Sequence, residues 1–109
     1  MKPKFKLWIE EDDEVVFGKG RMILLQAIED HGSISKAAKE LSMSYRAAWG
    51  KIKASEDRLG QKLLIAKKGG SSGGGAKLTP YAKQLLKNYL TFREKVYSSI
   101  ETNFNKYLK

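Results

Sequence analysis

The sequence of 109 residues contains no cysteine and a single histidine, His31. The absence of cysteine excludes disulfide bonds, thiol nucleophiles and Cys-ligated zinc, and it fits a reducing compartment. His31 has no carboxylate cluster at metal-ligand spacing, so we interpret it as a helix-end residue and expect neither a metal nor another cofactor. The chain also lacks a signal peptide and a long apolar run, which predicts a cytoplasmic protein without a membrane partner.

Acidic residues are scarce, with 12 Asp and Glu against 21 Lys and Arg, for a net charge of +9. The excess lies in residues 33–77, where ten basic residues face three acidic ones, whereas residues 1–17 are net acidic. A polyanion is the simplest partner for this distribution. No nucleophile, base and orienting group converge in the sequence, and the acids at positions 12–14 fall in a polar turn, so we expect no enzymatic activity.

Residues 33–60 have the pattern of a helix-turn-helix. Ser33 and Ser44 are suited to cap the two helices, residues 42–44 form the turn, and Gly60 ends the second helix. The first helix carries its apolar residues at helical spacing, and two alanines among them allow a close helix crossing. These apolar residues are Ile34, Ala37, Ala38 and Leu41.

The second helix of this motif has two opposite rows of side chains. The apolar row is Ala48, Ile52, Ser55 and Leu59, and the polar row is Tyr45, Arg46, Trp49 and Lys53. A polar row alone is more often a solvated face. Here the basic surroundings favour DNA, because Arg46 and Lys53 can neutralise phosphates or donate to guanine, and Ser44 can reach a base or a phosphate.

The flanking segments predict two hairpins around a first helix. Alternation over Lys4–Glu10, with Phe5, Leu7 and Ile9 on one side, and the run Glu14–Phe17 indicate two short strands. A helix from about Lys19 to Asp30 follows, with Met22, Leu24, Leu25 and Ile28 facing the core. After the helix-turn-helix, residues 61–66 and 76–79 form a β-hairpin wing, whose basic residues are Lys67, Lys68 and Lys77.

The last helix begins at Thr79-Pro80 and continues to about Lys106, a length near 40 Å. This is longer than a small domain can bury, so its apolar stripe predicts a homodimer. The predicted dimer interface is Leu85, Tyr89, Phe92, Val96, Ile100 and Phe104.

With these residues in place, the chain resembles the N-terminal DNA-binding domain of the ModE molybdate-responsive transcriptional regulators. The resemblance covers about residues 17–92 and rests on three motifs. They are SISKAAKELSMSYRAAWGKI, the E-x-x-L-G-x-x-L run that starts at Glu56, and the glycine-rich wing ending in GGGAKLTPYAKQLL. The LysR-type regulators share the S-x-x-x-A-A…L…L-G skeleton but lack MSYRAAW and the glycine-rich wing.

The resemblance implies a mainly α fold with small β elements. This is a winged helix-turn-helix with an N-terminal hairpin, a β-wing and a long C-terminal dimerisation helix. The expected organisation is one domain over 1–109, with the hairpin at 1–17, a three-helix core at 18–60, the wing at 61–79 and the dimerisation helix at 80–109.

The resemblance also implies contacts with double-stranded DNA. It implies base recognition by Ser44, Tyr45, Arg46 and Lys53, backbone contacts by Ser35 and Lys36, and wing contacts by Lys67 and Lys68. Trp49 lies at the edge of this face, where it can either pack against the wing or contact DNA.

Two functions are compatible with these features. The first is a sequence-specific transcriptional regulator that binds a pseudo-palindromic operator as a homodimer. The alternative is a non-specific architectural DNA-binding protein, because the chain is small and basic. Full-length ModE proteins carry molybdate-binding modules with a Ser-Ala-Arg-Asn type motif, and no such segment occurs in these residues, so we expect no direct molybdate sensing.

Overall fold

The structure is a computed structural model that describes residues 1–67 and 75–109, with Lys67 described in its backbone only. The predicted wing residue Lys68 therefore lies outside the described residues. In chain order the elements are β1 (Trp8–Glu11), β2 (Glu14–Gly18), α1 (Lys19–His31), α2 (Ile34–Glu40), α3 (Tyr45–Leu59), β3 (Leu64–Lys67), β4 (Gly75–Leu78) and α4 (Pro80–Tyr107). Strands β1 and β2 pair antiparallel, as do β3 and β4. The predicted winged helix-turn-helix is confirmed.

Local sequence signals set the helix ends. Ser33 and Ser44 each accept a hydrogen bond of 3.0 Å from the backbone N–H three residues further on, and Thr79 does the same at the start of α4. Gly32 and Gly60 end α1 and α3 in the left-handed conformation, with φ of 75° and 68°. A side chain would be strained there, which explains glycine at both positions.

Helix α1 lies at the centre of the core. Its Leu24, Leu25 and Ile28 are completely buried, as predicted, and Phe17 of β2 packs among them. Small residues of α2 and α3 complete this layer, namely Ala37, Ala38 and Ala48. Because an alanine carries only a methyl group, α2 and α3 can pack closely on α1 and on each other.

Three residues near the end of α3, here called the α3 anchor residues, are Ser55, Glu56 and Arg58. The buried Ser55 hydroxyl donates to the Val16 carbonyl of β2 at 2.7 Å and accepts from Nε of Arg21 at 2.6 Å. Arg58 donates to the carbonyl of Val15 and forms an ion pair of 2.7 Å with Glu14. The first hairpin is thus attached to α3 mainly through its backbone.

The wing is attached to α3 by the remaining anchor residue. Oε2 of Glu56 accepts from the backbone N–H of Leu63 at 2.8 Å and from that of Leu64 at 3.4 Å. On the other strand, the N–H of Ala76 donates to the carbonyl of Gly32 at 2.8 Å, between α1 and α2. These bonds determine where the wing lies relative to α3.

The first predicted strand is wrong for residues 4–7, because β1 starts only at Trp8. The preceding residues form an N-terminal arm, Lys2–Leu7, that packs against α4. The ring centroids of Phe5 and Tyr97 are 4.4 Å apart, and the Tyr89 hydroxyl donates to the Leu7 carbonyl at 3.1 Å. Phe5 and Leu7 of this predicted row are partly buried, whereas Ile9 in β1 is exposed.

Helix α4 packs on the core through its first half and extends beyond it. Tyr89 is buried against Phe17, with ring centroids 5.0 Å apart. Burial raises the pKa of Tyr89, whose hydroxyl donates to the Leu7 carbonyl. Tyr89 therefore belongs to the core of its own chain, which corrects its assignment to a dimer interface.

Replacing Ser55 with alanine should lower the free energy of unfolding by about 1–3 kcal/mol, because a buried carbonyl and a guanidinium N–H lose their partner. Urea unfolding followed by circular dichroism measures this loss. The control is Ser98→Ala, which removes an exposed hydroxyl of α4 and should change stability by less than about 0.5 kcal/mol. Equal losses in the two variants would contradict the anchoring role of Ser55.

Gly60→Ala and Gly20→Ala should change stability in opposite directions. An added Cβ meets no atom within 4 Å at either site, but Gly60 has a positive φ whereas Gly20 lies in helix α1. The first change should destabilise by about 1 kcal/mol and the second should stabilise by roughly 0.5–1 kcal/mol. Thermal unfolding measures both, and shifts of the same sign would show that backbone conformation does not select glycine at position 60.

Candidate nucleic-acid interface

Most of the polar row of α3 is exposed to solvent, and it borders the buried row of the same helix. Tyr45, Arg46 and Trp49 are exposed, whereas Ala48 and Ile52 of the same helix are buried. Lys53 is partly covered, and its Nζ lies 3.5 Å from the carboxylate of Asp57 one turn further on. The row therefore combines two aromatic rings with two basic side chains on one accessible face.

An open groove of about 710 Å³ separates this row from the wing. We call it the helix–wing groove. It brings together four of the residues predicted to contact DNA, namely Ser35, Tyr45, Trp49 and Lys53, with Lys62 and Ile65 from the wing side. The structure thus joins parts of α2, α3 and β3 into one surface.

Other residues predicted to contact DNA, among them Ser44, Lys36 and Lys77, are not among those that line this groove. Ser44 is exposed at the start of α3, and its hydroxyl oxygen accepts from the Ala47 N–H at 3.0 Å, which leaves the hydroxyl hydrogen available. Lys36 is exposed in the first turn of α2, and Lys77 is exposed on β4. Lys67 belongs to β3 through its backbone.

Two residues of this surface were missed from the sequence. Lys62 and Ile65 line the groove, yet they fall in a segment interpreted only as a strand. The E-x-x-L-G-x-x-L motif contains Glu56, but the motif alone does not predict the hydrogen bonds of Glu56 to the wing. The glutamate three residues before the Leu-Gly pair was the available signal, since it can satisfy backbone N–H groups just beyond the helix end.

Charge in the groove is mixed but favours an anion. Nζ of Lys62 lies 3.9 Å from Oε1 of Glu56, and the lysine side chain is 72 % exposed whereas the glutamate is 10 % exposed. The Glu56 carboxylate thus accepts a hydrogen bond from the wing backbone, while the side chains of Lys62 and Lys53 remain accessible to solvent. The surface offers hydroxyl, indole, phenol and ammonium donors to a ligand.

Neither a metal centre nor a membrane span is found in the part of the chain that the structure describes. No group of three His, Asp or Glu side chains converges there. No helix within residues 1–67 and 75–109 is long and apolar enough to cross a bilayer.

Comparison with curated proteins finds relatives among molybdenum-related bacterial proteins. The molybdenum-pterin-binding protein MopB of Rhodobacter capsulatus is 41 % identical over 91 residues, which cover 81 % of this chain and 34 % of MopB. The molybdenum transport protein ModE of Azotobacter vinelandii is 31 % identical over 96 residues, which cover 88 % of this chain and 36 % of that protein. The chain spans about a third of the length of the curated relatives it matches.

Solved structures and a family model agree on the fold. The DNA complex of the CbnR DNA-binding domain superimposes with a TM-score of 0.59 at 22 % identity, over 80 % of this chain and 94 % of that one. The family model for the bacterial regulatory helix-turn-helix proteins of the lysR family matches residues 20–83, more than half of the chain. Because this family model covers more than half of its residues, the chain belongs to the lysR family of bacterial regulatory helix-turn-helix proteins, and ModE and MopB are among its sequence relatives.

Proposed function

We propose that the protein is a cytoplasmic, sequence-specific DNA-binding transcriptional regulator that acts as a homodimer. The observation that carries this proposal is the exposed row of α3 beside the wing, in the most basic part of the chain. Its residues offer both positive charge and directional donors, and DNA needs both for specific binding. Relatives named as transcriptional regulators, such as ModE of Haemophilus influenzae, which is 42 % identical over 69 residues, support it.

Helix α3 is the element suited to enter the major groove, because its polar row is free along the helix. Arg46 can donate two parallel hydrogen bonds to a guanine edge. In this proposal Ser35 and Lys36 contact phosphates and fix the register of α3, and Lys67 and Lys68 add phosphate contacts from the wing. Several structural neighbours are described as DNA complexes, including the BenM DNA-binding domain with its site DNA.

The second half of α4 supports the proposed homodimer. The helix has 28 residues, or about 42 Å, and the molecule measures 58 Å along its longest axis but only 28 and 22 Å across. Phe92 is 47 % exposed, and Val96, Ile100 and Phe104 follow it along the helix and are half-buried. A second copy would cover this stripe and place two α3 helices about one helical turn apart on DNA, roughly 34 Å.

DNA binding is the activity that we transfer from the relatives, and the molybdenum chemistry in their names is not transferred. The aligned third of the relatives corresponds to the helix-turn-helix region. The proposed regulator therefore needs no oxyanion site within residues 1–109.

Arg46→Ala should weaken binding to the preferred operator by about 1–3 kcal/mol and relax the choice of base at one position per half-site. Replacing Lys67 and Lys68 with alanine should instead weaken all sequences alike and lower the salt dependence. Titration of a selected operator and an unrelated duplex at several salt concentrations measures both. If Arg46→Ala weakens binding to the operator and to the unrelated duplex by the same factor, Arg46 does not contact a base. If the wild type binds both duplexes equally, the protein is an architectural DNA-binding protein.

Phe92→Glu should dissociate the homodimer, because the change places a carboxylate in the apolar stripe of α4. Analytical ultracentrifugation should show the monomer mass at concentrations where the wild type is dimeric. The matched control is Thr91→Glu, which adds the same charge at the neighbouring exposed position away from the stripe and should leave the dimer intact. A dimer that survives Phe92→Glu would contradict the assigned interface.

A further inference from the structure

Gly50 occupies a position in α3 that the helix itself does not favour. It lies in the interior of the helix, more than one turn from either end. Glycine is the least favourable residue after proline at such a position, because it loses the most backbone freedom when the helix forms. A glycine here weakens α3, so its presence calls for a benefit elsewhere.

The packing of the chain does not require glycine at position 50. At Gly18 an added Cβ would lie 3.0 Å from the Cβ of Trp8, and Gly32 and Gly60 have positive φ angles. Gly50 has helical backbone, and among the described residues its added Cβ would meet no atom beyond its own stretch of helix within 4 Å. The reason for glycine is therefore expected in a bound partner and not in the fold.

Gly50 lies on the outermost side of α3. Two residues turn a helix by about 200°, so Gly50 lies on the side away from Ala48 and Ile52, which are both buried in the core. Arg46 precedes it by four residues and Lys53 follows it by three, so both basic side chains flank it on the same side of the helix. The backbone of α3 is thus uncovered between two basic side chains.

This geometry suits the floor of the major groove of DNA. A helix with its side chains is about 10–12 Å across, and the groove is about 12 Å wide and about 8.5 Å deep. When α3 enters the groove with its outermost side first, that side faces the base edges, and the long side chains of Arg46 and Lys53 can reach past it. A residue without a side chain at that point lets the helix come closer to the base edges by the depth of a methyl group.

We propose that Gly50 sets how deeply α3 enters the major groove, because its bare backbone lies against a base edge of the operator. This depth brings the guanidinium of Arg46 within reach of a guanine edge. The inference rests on the proposed DNA-binding function and adds to it a residue that determines specificity through its lack of a side chain. The contribution of Gly50 is steric, whereas that of Arg46 is a hydrogen bond.

Gly50→Ala should make the protein more stable and a weaker binder of its operator. Thermal unfolding should show a higher Tm, because alanine favours the helix. Fluorescence anisotropy should show binding about tenfold weaker to a palindrome that the wild type selects from a randomised library, because the added methyl overlaps a base edge. The affinity for an unrelated duplex should stay within about twofold of the wild type, since non-specific binding depends on phosphate contacts.

Gly20→Ala is the matched control. Gly20 is also an exposed helical glycine whose added Cβ meets no listed neighbour within 4 Å among the described residues, but it lies in α1, outside the helix-turn-helix. This change should raise Tm as well and leave both affinities unchanged. A higher Tm in both variants, with weaker operator binding in Gly50→Ala alone, separates the effect on DNA from any effect on the fold.

A larger side chain tests the steric cause. Leucine also favours the helix, so Gly50→Leu should keep the fold and weaken binding to the palindrome by about a hundredfold, because it fills more of the space that a base edge needs. A loss that does not grow from alanine to leucine would contradict the proposal.

The comparison of the two duplexes gives the remaining outcomes. If Gly50→Ala binds the palindrome as tightly as the wild type or more tightly, the proposal is wrong. An equal loss on both duplexes would place the methyl against the sugar–phosphate backbone and would also overturn it. A library that yields no enriched palindrome would overturn the sequence-specific regulator itself, whereas an enriched palindrome bound equally by both proteins would overturn the role of Gly50 alone.

Discussion

The attachment of α3 through Ser55, Glu56 and Arg58 is the constraint on which the arrangement of the molecule depends. These residues lie within one turn, and they bond to β2 on one side and to the start of β3 on the other. Most of their partners are backbone groups, which every sequence supplies. The position of α3 relative to its two hairpins is therefore fixed by a few polar side chains. The apolar core holds the buried side of the helix.

Much of the fold was predictable because its signals are local. Ser33, Ser44, Thr79, Gly32 and Gly60 each act within a few residues, and the structure uses all five as predicted. The N-terminal arm was not predictable in this way. Alternation of apolar residues at positions 5, 7 and 9 is satisfied equally by a strand and by a segment lying on α4, and only the tertiary structure decides. Tyr89 was misassigned for the same reason, since periodicity does not tell which partner an apolar stripe contacts.

The candidate site was predictable as a row but not as a groove. Spacing on one helix places Tyr45, Arg46, Trp49 and Lys53 together, and this needs only the period of the α-helix. The opposite wall comes from Lys62 and Ile65, whose position depends on the hydrogen bonds of Glu56 to the wing. A surface formed by two elements can be predicted only when the contacts that join them are known. Here the joining contacts are the two hydrogen bonds that the Glu56 carboxylate accepts from backbone N–H groups.

The hairpin tip has a consequence for the kinetics of encounter. Five consecutive carboxylates, Glu10–Glu14, occur on an otherwise basic chain, and β2 is bonded to the core side of α3, away from its exposed row. Negative charge is therefore concentrated at the hairpin, whereas the excess of basic residues lies in residues 33–77. Near a polyanion, molecules approaching with the hairpin first are repelled and those approaching with α3 first are attracted, within a screening distance of about 8 Å. The charge distribution thus orients the protein relative to the polyanion before contact, so that a larger share of encounters begins with α3 facing it.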